Sequence, residues 1–362
     1  MASLPVHAER AEFTAVLRQR LQGFFEERHV SSKADAAMTL KIIAGVLAFL
    51  ATYSALYVFQ LTPVEFVLLY VVHGLTQLFL LLNIAHDTNH NAISKHRRVN
   101  QLFSYIFDLC GINSYIWRFL HNIGHHANVN IRGDDEDIIA RGYIRLSPNT
   151  PRKWRHRLQH FYAWFLYGFS TLDYVLVKDI EYFFFTRYRM LRRIRHSPSE
   201  YVTLLAGKSI YFTYMLVLPV VVLHWPPLLV LGAFIAMHFT IGLLAQLVFQ
   251  TTHALESSRF PQSKSEFDTY TYHILATTSD YSTGSILARI FLGGLNHHVV
   301  HHLCPAVCHT HYPELTRIVK ETAYQYNVPY REHATIWSAL AEHYRLLKRL
   351  GNPPVPDEST NG

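Results

Sequence analysis

Four long apolar runs, the confinement of every lysine and arginine to the segments around them, and three tight clusters of histidine predict an all-α integral membrane protein. The expected architecture is four transmembrane helices with a cytosolic helical cap that holds a histidine-ligated di-metal site. Half of the 362 residues are hydrophobic and only 16% are charged, whereas soluble domains carry about 25% charged residues. That composition excludes a disordered chain, a collagen and a coiled coil. Cys110, Cys304 and Cys308 are the only cysteines, too few for a disulfide framework, and point to a reducing compartment. A net charge of +7 is what basic flanks on the cytoplasmic side of a membrane protein produce. No nucleic-acid-binding motif accompanies it, so no nucleic-acid partner is expected.

Residues 1–41 read as a polar, amphipathic cytosolic region without a cleavable signal peptide. The spans are expected at Ile42–Phe59, Val64–Ala85, Ser209–Trp225 and Leu228–Gln250. About 20 apolar residues cross a bilayer, and the third run is short of that. None of the four runs contains Lys or Arg, and neither do the connections near Gln60–Pro63 and His224–Pro227. Two hairpins with uncharged outer turns follow, both termini lying in the cytoplasm of an endoplasmic reticulum or bacterial plasma membrane. A cytosolic insertion, 86–208, interrupts the membrane domain of 42–250. Within it, Leu102–Ile116 and Phe161–Val177 read either as interfacial helices or as soluble-core helices. The segment 251–352 is the C-terminal cap, with helical periodicity over Pro313–Arg349, and the polar end 353–362 is expected to be disordered.

The histidines fall where the spans meet the cytosol. His86 and His90 extend the second span, and His at i and i+4 share a helix face. A helix from Val64 to His90 would be about 40 Å long against a hydrocarbon core of about 30 Å, so the pair emerges just beyond the membrane. His121, His125 and His126 form a second cluster, and His298, His301 and His302 a third. His253, past the fourth span, lies at a similar height. Imidazole suits Zn, Cu, Fe and Ni, and a zinc site takes three or four protein ligands. Eight or nine imidazoles therefore fit two ions, and ligand type alone does not separate iron from zinc. The other histidines, His309 and His311 included, read as surface or satisfied core residues. Asp137, and less strongly Asp87, Asp134, Asp135 and Glu136, are candidates to orient a ligating histidine. Asn296 is a candidate water-mediated ligand or a loop residue, and Cys304 and Cys308 read as packing.

The motifs HDTNH, HNIGHH and HHVVHH resemble the three histidine boxes of membrane-bound fatty acid desaturases. The resemblance extends to Ser94–Asn100 (SKHRRVN), Tyr115–Arg118 (YIWR), Asn130–Ile138 (NIRGDDEDI), Phe249–His253 (FQTTH), Gly293–Asn296 (GGLN), His301–Pro305 (HHLCP) and His309–Pro313 (HTHYP). It covers roughly residues 40–350 and is nearest to the linoleoyl-CoA-desaturase-like, front-end group. It implies an O2-dependent oxidoreductase that introduces a cis double bond into an acyl-CoA or acyl-lipid. It also implies two non-haem iron ions held by His86, His90, His121, His125, His126, His298, His301 and His302, with His253 as an additional ligand. Two departures stand out: His298 occupies a position where the group usually has Gln, and no HPGG haem motif occurs. Electrons are therefore expected from a separate donor of cytochrome b5 or ferredoxin type. Arg152, Lys153, Arg155, Arg157 and Arg187–Arg195 form a basic face for lipid headgroups, an acyl carrier or that donor. The alternatives are a hydroxylase, ketolase or epoxygenase with the same centre, a zinc-dependent membrane hydrolase, and a metal transporter. A transporter places its ligands near the bilayer midplane, whereas these clusters lie past the helix ends.

Overall fold

The computed structural model describes residues 6–185 and 195–352. The basic run 187–194 and the tail 353–362 lie outside the described residues. Four helices are long and apolar enough to cross a membrane: α2 (Ala36–Val58), α3 (Pro63–Asn89), α7 (Pro198–Val221) and α8 (Pro227–His253). An amphipathic helix, α1 (Val6–Glu27), precedes them. Between α3 and α7 lie α4 (Arg97–Ser104), α5 (Ser114–Arg118), which continues through Phe119–His125, and α6 (Gln159–Tyr167). After α8 come α9 (Tyr270–Thr277), α10 (His298–Leu303), α11 (Tyr312–Gln325) and α12 (Ile336–Gly351), with the short helix Ile286–Phe291 between α9 and α10. Residues Asp280–Tyr281 (β1) and Glu332–His333 (β2) pair in parallel, a two-residue exception to the all-α expectation. The helical periodicity of Pro313–Arg349 resolves into α11 and α12, with β2 between them.

Each long helix begins where local chemistry allows. Asp35 caps α2 by accepting the Met38 N–H at 2.8 Å. Thr62 and Glu65 form a capping box at α3, which has Pro63 in its first turn. Pro198 and Pro227 open α7 and α8 in the same way. The outer faces are apolar and unpartnered: on α2, Leu40 is 67% and Leu47 60% exposed. Exposure of this kind along a whole helix fits a hydrocarbon surrounding rather than water.

Two of the long helices run past a lysine that lies outside the apolar runs. Lys41 lies inside α2, where Nζ donates to Asn83 Oδ1 and to the Arg289 carbonyl, each at 2.8 Å. Lys208 lies inside α7, where Nζ donates to Asp179 Oδ2 at 2.7 Å and to the carbonyls of Gly111 and Val175. A cation so fully bonded can enter an apolar segment. The third long helix therefore starts at Pro198, ahead of the apolar run at Ser209. It ends at Val221 rather than Trp225, after a widened turn at Thr213–Val217 that accommodates Pro219.

The stretch Leu102–Ile116 is broken into short helices that bury Phe107, Ile112 and Ile116 while leaving Leu102 exposed. The stretch Phe161–Val177 presents Phe161, Phe165 and Phe169 outward from α6 and the residues after it. Gly293, just before the third histidine cluster, has φ +58°, and a Cβ there would stand 2.0 Å from the Leu82 carbonyl oxygen. Only glycine allows that approach, which brings the third cluster against α3 one turn before His86.

The buried Lys208–Asp179 pair gives a direct test of this packing. Lys208→Met leaves Asp179 buried and uncompensated and should destabilise the protein by about 3–5 kcal/mol. Adding Asp179→Asn should recover part of that loss, as read by thermal unfolding in detergent.

Candidate metal centre

The end of α3 is not a regular helix. At Leu81–Ala85 the turn widens, with the His86 N–H reaching the Leu81 carbonyl. A second widened turn runs through Phe119–His125, where the His126 N–H donates to the His121 carbonyl at 2.8 Å. Widened turns of this kind recur at functional sites because they rotate the side chains that follow. Here they let His121, His125 and His126 fan toward different neighbours, which uniform i, i+4 spacing does not provide. Box three enters on α10, and His253 is the last residue of α8.

These elements bring nine imidazoles together. His86, His90, His121 and His301 converge as one group, and His125, His253, His298 and His302 as a second; His126 stands with His301 and His302 between them. All nine are buried. Their Nε2 atoms are 3.1 Å apart for His86 and His121, 2.9 Å for His126 and His301, and 3.1 Å for His125 and His253. His297 lies outside both groups, with Nδ1 at 2.9 Å from Thr316 Oγ1.

The donor chemistry fits cations. His298 Nδ1 donates to the Leu295 carbonyl at 2.9 Å and His253 Nδ1 faces the Thr277 carbonyl at 3.3 Å. A neutral imidazole that donates from Nδ1 carries a lone pair on Nε2. His298 Nε2 and His90 Nε2 are buried with no hydrogen-bond partner among the described residues. Burial and neighbouring imidazoles hold His90, His121, His126, His298, His301 and His302 well below the usual histidine pKa, so they are neutral at pH 7. Where both facing nitrogens are unprotonated, their lone pairs at about 3 Å repel one another, and a cation between them removes that repulsion. Zinc–imidazole bonds of about 2.0–2.1 Å would leave neighbouring nitrogens near that separation.

Carboxylates border the groups. Asp135, fully buried, lies 3.0 Å from His125 Nδ1, and Asp137 lies 3.3 Å from it. Burial disfavours the His125 cation, but the two acids outweigh it and push its pKa up to about 9. Asp135 was the less favoured candidate by sequence, yet it makes the shorter contact and also accepts the Asn130 and Asp137 N–H groups. Asp87 lies 3.8 Å from His86 Nδ1 and accepts from His309 Nδ1 at 2.9 Å. His309, read from sequence as unremarkable, is buried and gripped by that carboxylate; its nearness to box three was the only signal. Tyr270, which sequence reasoning missed, donates its hydroxyl to the carbonyls of His126 at 3.1 Å and His302 at 3.2 Å, tying boxes two and three. Asn296 is buried and donates to the Ser282 carbonyl at 3.3 Å, with Oδ1 unpartnered among the described residues. Cys308 stands beside Asp87 and His309; burial pushes the Cys304 thiol up to about 12, which keeps it protonated.

A cavity of about 360 Å³ opens beside His121. Trp117, Leu146, Tyr174 and Phe249 line it, and Arg141 and Lys178 stand among its polar lining. Trp117 stacks on His121 with ring centroids 4.3 Å apart, so one wall of the cavity supports a member of the first group.

A family model described as fatty acid desaturase matches residues 61–334. The chain belongs to the fatty acid desaturase family. It is similar to an sn-1 linoleoyl-lipid 6-desaturase of Arthrospira platensis, 33% identical over 94% of this chain and 93% of that protein. A protein of the same name from Synechocystis sp. is 31% identical over 95% of this chain and 98% of its own length. An acyl-lipid (8-3)-desaturase of Physcomitrium patens is 29% identical over 95% of this chain and 72% of that protein. This desaturase is an oxidoreductase of the front-end group, as the boxes and intervening motifs implied, and it associates with membranes through its four apolar helices.

The neutral histidines give the desaturase a pH signature. Their folded-state pKa values lie below 6.5, so the unfolded chain binds more protons once the pH falls below about 6.5. His125 has the opposite sign: its contribution is complete below about 6.5 and fades as pH rises through about 9. The six lowered histidines outnumber the groups of opposite sign, His125 and the Asp108 and Asp280 carboxyls that burial pushes up to about 7, so thermal unfolding of metal-free protein should occur at a lower temperature at pH 5.5 than at pH 7.5.

Proposed function

We propose that this desaturase introduces a cis double bond into an acyl chain carried on a membrane lipid, using two iron ions and electrons from a separate donor. The observation that carries the reading is the pair of buried imidazole groups beside a cavity walled in part by Trp117, Leu146 and Phe249. The relatives are named for acyl-lipid substrates, which favours a lipid-borne chain over acyl-CoA. His86, His90, His121 and His301 would hold one ion, and His125, His253, His298 and His302 the other, with His126 placed to serve either. Bound there, iron would supply what side chains lack: activation of O2 and removal of two hydrogens from an unactivated methylene pair. Zinc has no redox chemistry, so the desaturase assignment favours iron within a donor set that suits both.

The protein's own residues do the rest. Asp135 and Asp137 hold the His125 ring by Nδ1, and Asp87, itself anchored by His309, faces His86. Carboxylates so placed fix ring orientation and raise ligand basicity. Tyr270 keeps boxes two and three in register. The walls formed by Trp117, Leu146 and Phe249 hold an acyl chain beside His121 and exclude water from the reacting carbons. Asn296, whose buried Oδ1 has no partner among the described residues, would be the residue to reach an ion through a water. The clusters lie at the ends of α3 and α8, and the lysine and arginine distribution favours a cytoplasmic position for that face and both termini.

The test is fatty acid analysis by gas chromatography–mass spectrometry of a host expressing the protein, beside His301→Ala. A new unsaturated acid with the wild type alone is expected, its double bond placed by derivatisation. A hydroxy or epoxy acid would overturn desaturation while keeping the centre. Replacing Asp135 by Asn should weaken metal binding by about 10–100-fold, and Asp137→Asn by less, read by metal retention against a chelator.

A further inference from the structure

A second and larger concavity lies on the opposite side of α8 from the cavity beside His121. Gln246, Phe249 and Gln250 face the first; Leu244, Leu247 and Val248 face the second. This groove has a volume of about 1030 Å³, at the upper end of the range of small-molecule sites, about 300–1,000 Å³. Leu40, Ala44 and Ala48 of α2 form one wall, and Val72 and Phe79 of α3 another. It runs from the start of α2 to Ala48, about 18 Å along a helix with a rise of 1.5 Å per residue, which is more than half of a hydrocarbon core of about 30 Å. Leu40 and Val72 are exposed along it, so it opens sideways to the surroundings of the spans.

Its polar end has a different chemistry. The short helix Ile286–Phe291 closes it and contributes Arg289, Ile290 and Phe291. Ile286, Leu287 and Phe291 are exposed apolar side chains on that same helix, the pattern of a segment seated at a membrane interface. Arg289 is exposed and makes no ion pair among the described residues. Lys41 adds a second cation, bound to the Arg289 carbonyl at 2.8 Å and to His309 Nε2 at 2.9 Å. Asp35 is the one carboxylate in the lining, and it is engaged as the cap of α2.

We propose that this groove binds one net-anionic phospholipid, with an acyl chain lying along α2 and α3 and the phosphate held by Arg289. The apolar walls, the sideways opening and the depth match a lipid chain. The unpaired guanidinium at the interface end matches a phosphate, which arginine engages by paired N–H donors. The site is separate from the acyl cavity and does not depend on the reaction proposed above.

Native mass spectrometry of the purified protein with equal dioleoyl phosphatidylglycerol and dioleoyl phosphatidylcholine tests it. The wild type should retain one phosphatidylglycerol with about fivefold preference, the value expected for one interfacial cation. Arg289→Glu should abolish the preference. Ala44→Trp, on an exposed position that fills the groove without entering the helix core, should abolish retention of either lipid; Ala48→Trp serves as a second filling variant. Size-exclusion chromatography and circular dichroism verify folding of each. Equal retention of both lipids by the wild type, an unchanged preference in Arg289→Glu, or displacement of the lipid by inorganic phosphate at equal concentration would overturn the proposal.

Discussion

Nine imidazoles held together away from water, most of them kept uncharged, are the constraint on which the rest of the structure depends. Each is a polar group taken out of solvent, which is costly unless its ring nitrogens find partners. That requirement explains why the supporting contacts are so specific. Backbone carbonyls hold His253 and His298, a buried carboxylate holds His125, and the Asp87–His309 pair stands behind His86. It also explains why the histidines come from four separate elements. No single helix could present lone pairs from all sides, so α3, α5, α8 and α10 are brought together by packing.

The membrane helices provide rigid placement. α3 and α8 each have 27 residues, long enough to pass through a bilayer and still carry histidines at its surface. The glycine contact between Gly293 and the Leu82 carbonyl, together with the Tyr270 hydroxyl, then locks the later boxes onto that frame. A displacement of about 1 Å among such groups weakens a site severely. The elements that join the boxes thus matter to the geometry of the site as much as the histidines themselves.

Much of this was legible in the sequence. Hydropathy located the four long helices, and helical spacing put His86, His90 and His253 at one height. What was missed has physical reasons. Lys41 and Lys208 enter apolar helices because distant carbonyls and side chains satisfy them, and composition in a local window is blind to such partners. The widened turns at Leu81–Ala85 and Phe119–His125 leave no signature in apolar periodicity. The choice of Asp135 as the nearer partner of His125, and the capture of His309 by Asp87, are decided by contacts across 10 and 222 positions of chain. The resemblance to a known family identified the boxes but could not weigh one neighbouring acid against another.

The central claim is that two groups of imidazoles each hold one iron ion. Metal stoichiometry by inductively coupled plasma mass spectrometry, on purified protein and on His90→Ala and His298→Ala variants, tests it most directly. Two irons per wild-type chain are predicted, with each variant losing predominantly the ion of its own group. One zinc per chain, or full iron in both variants, would contradict the account.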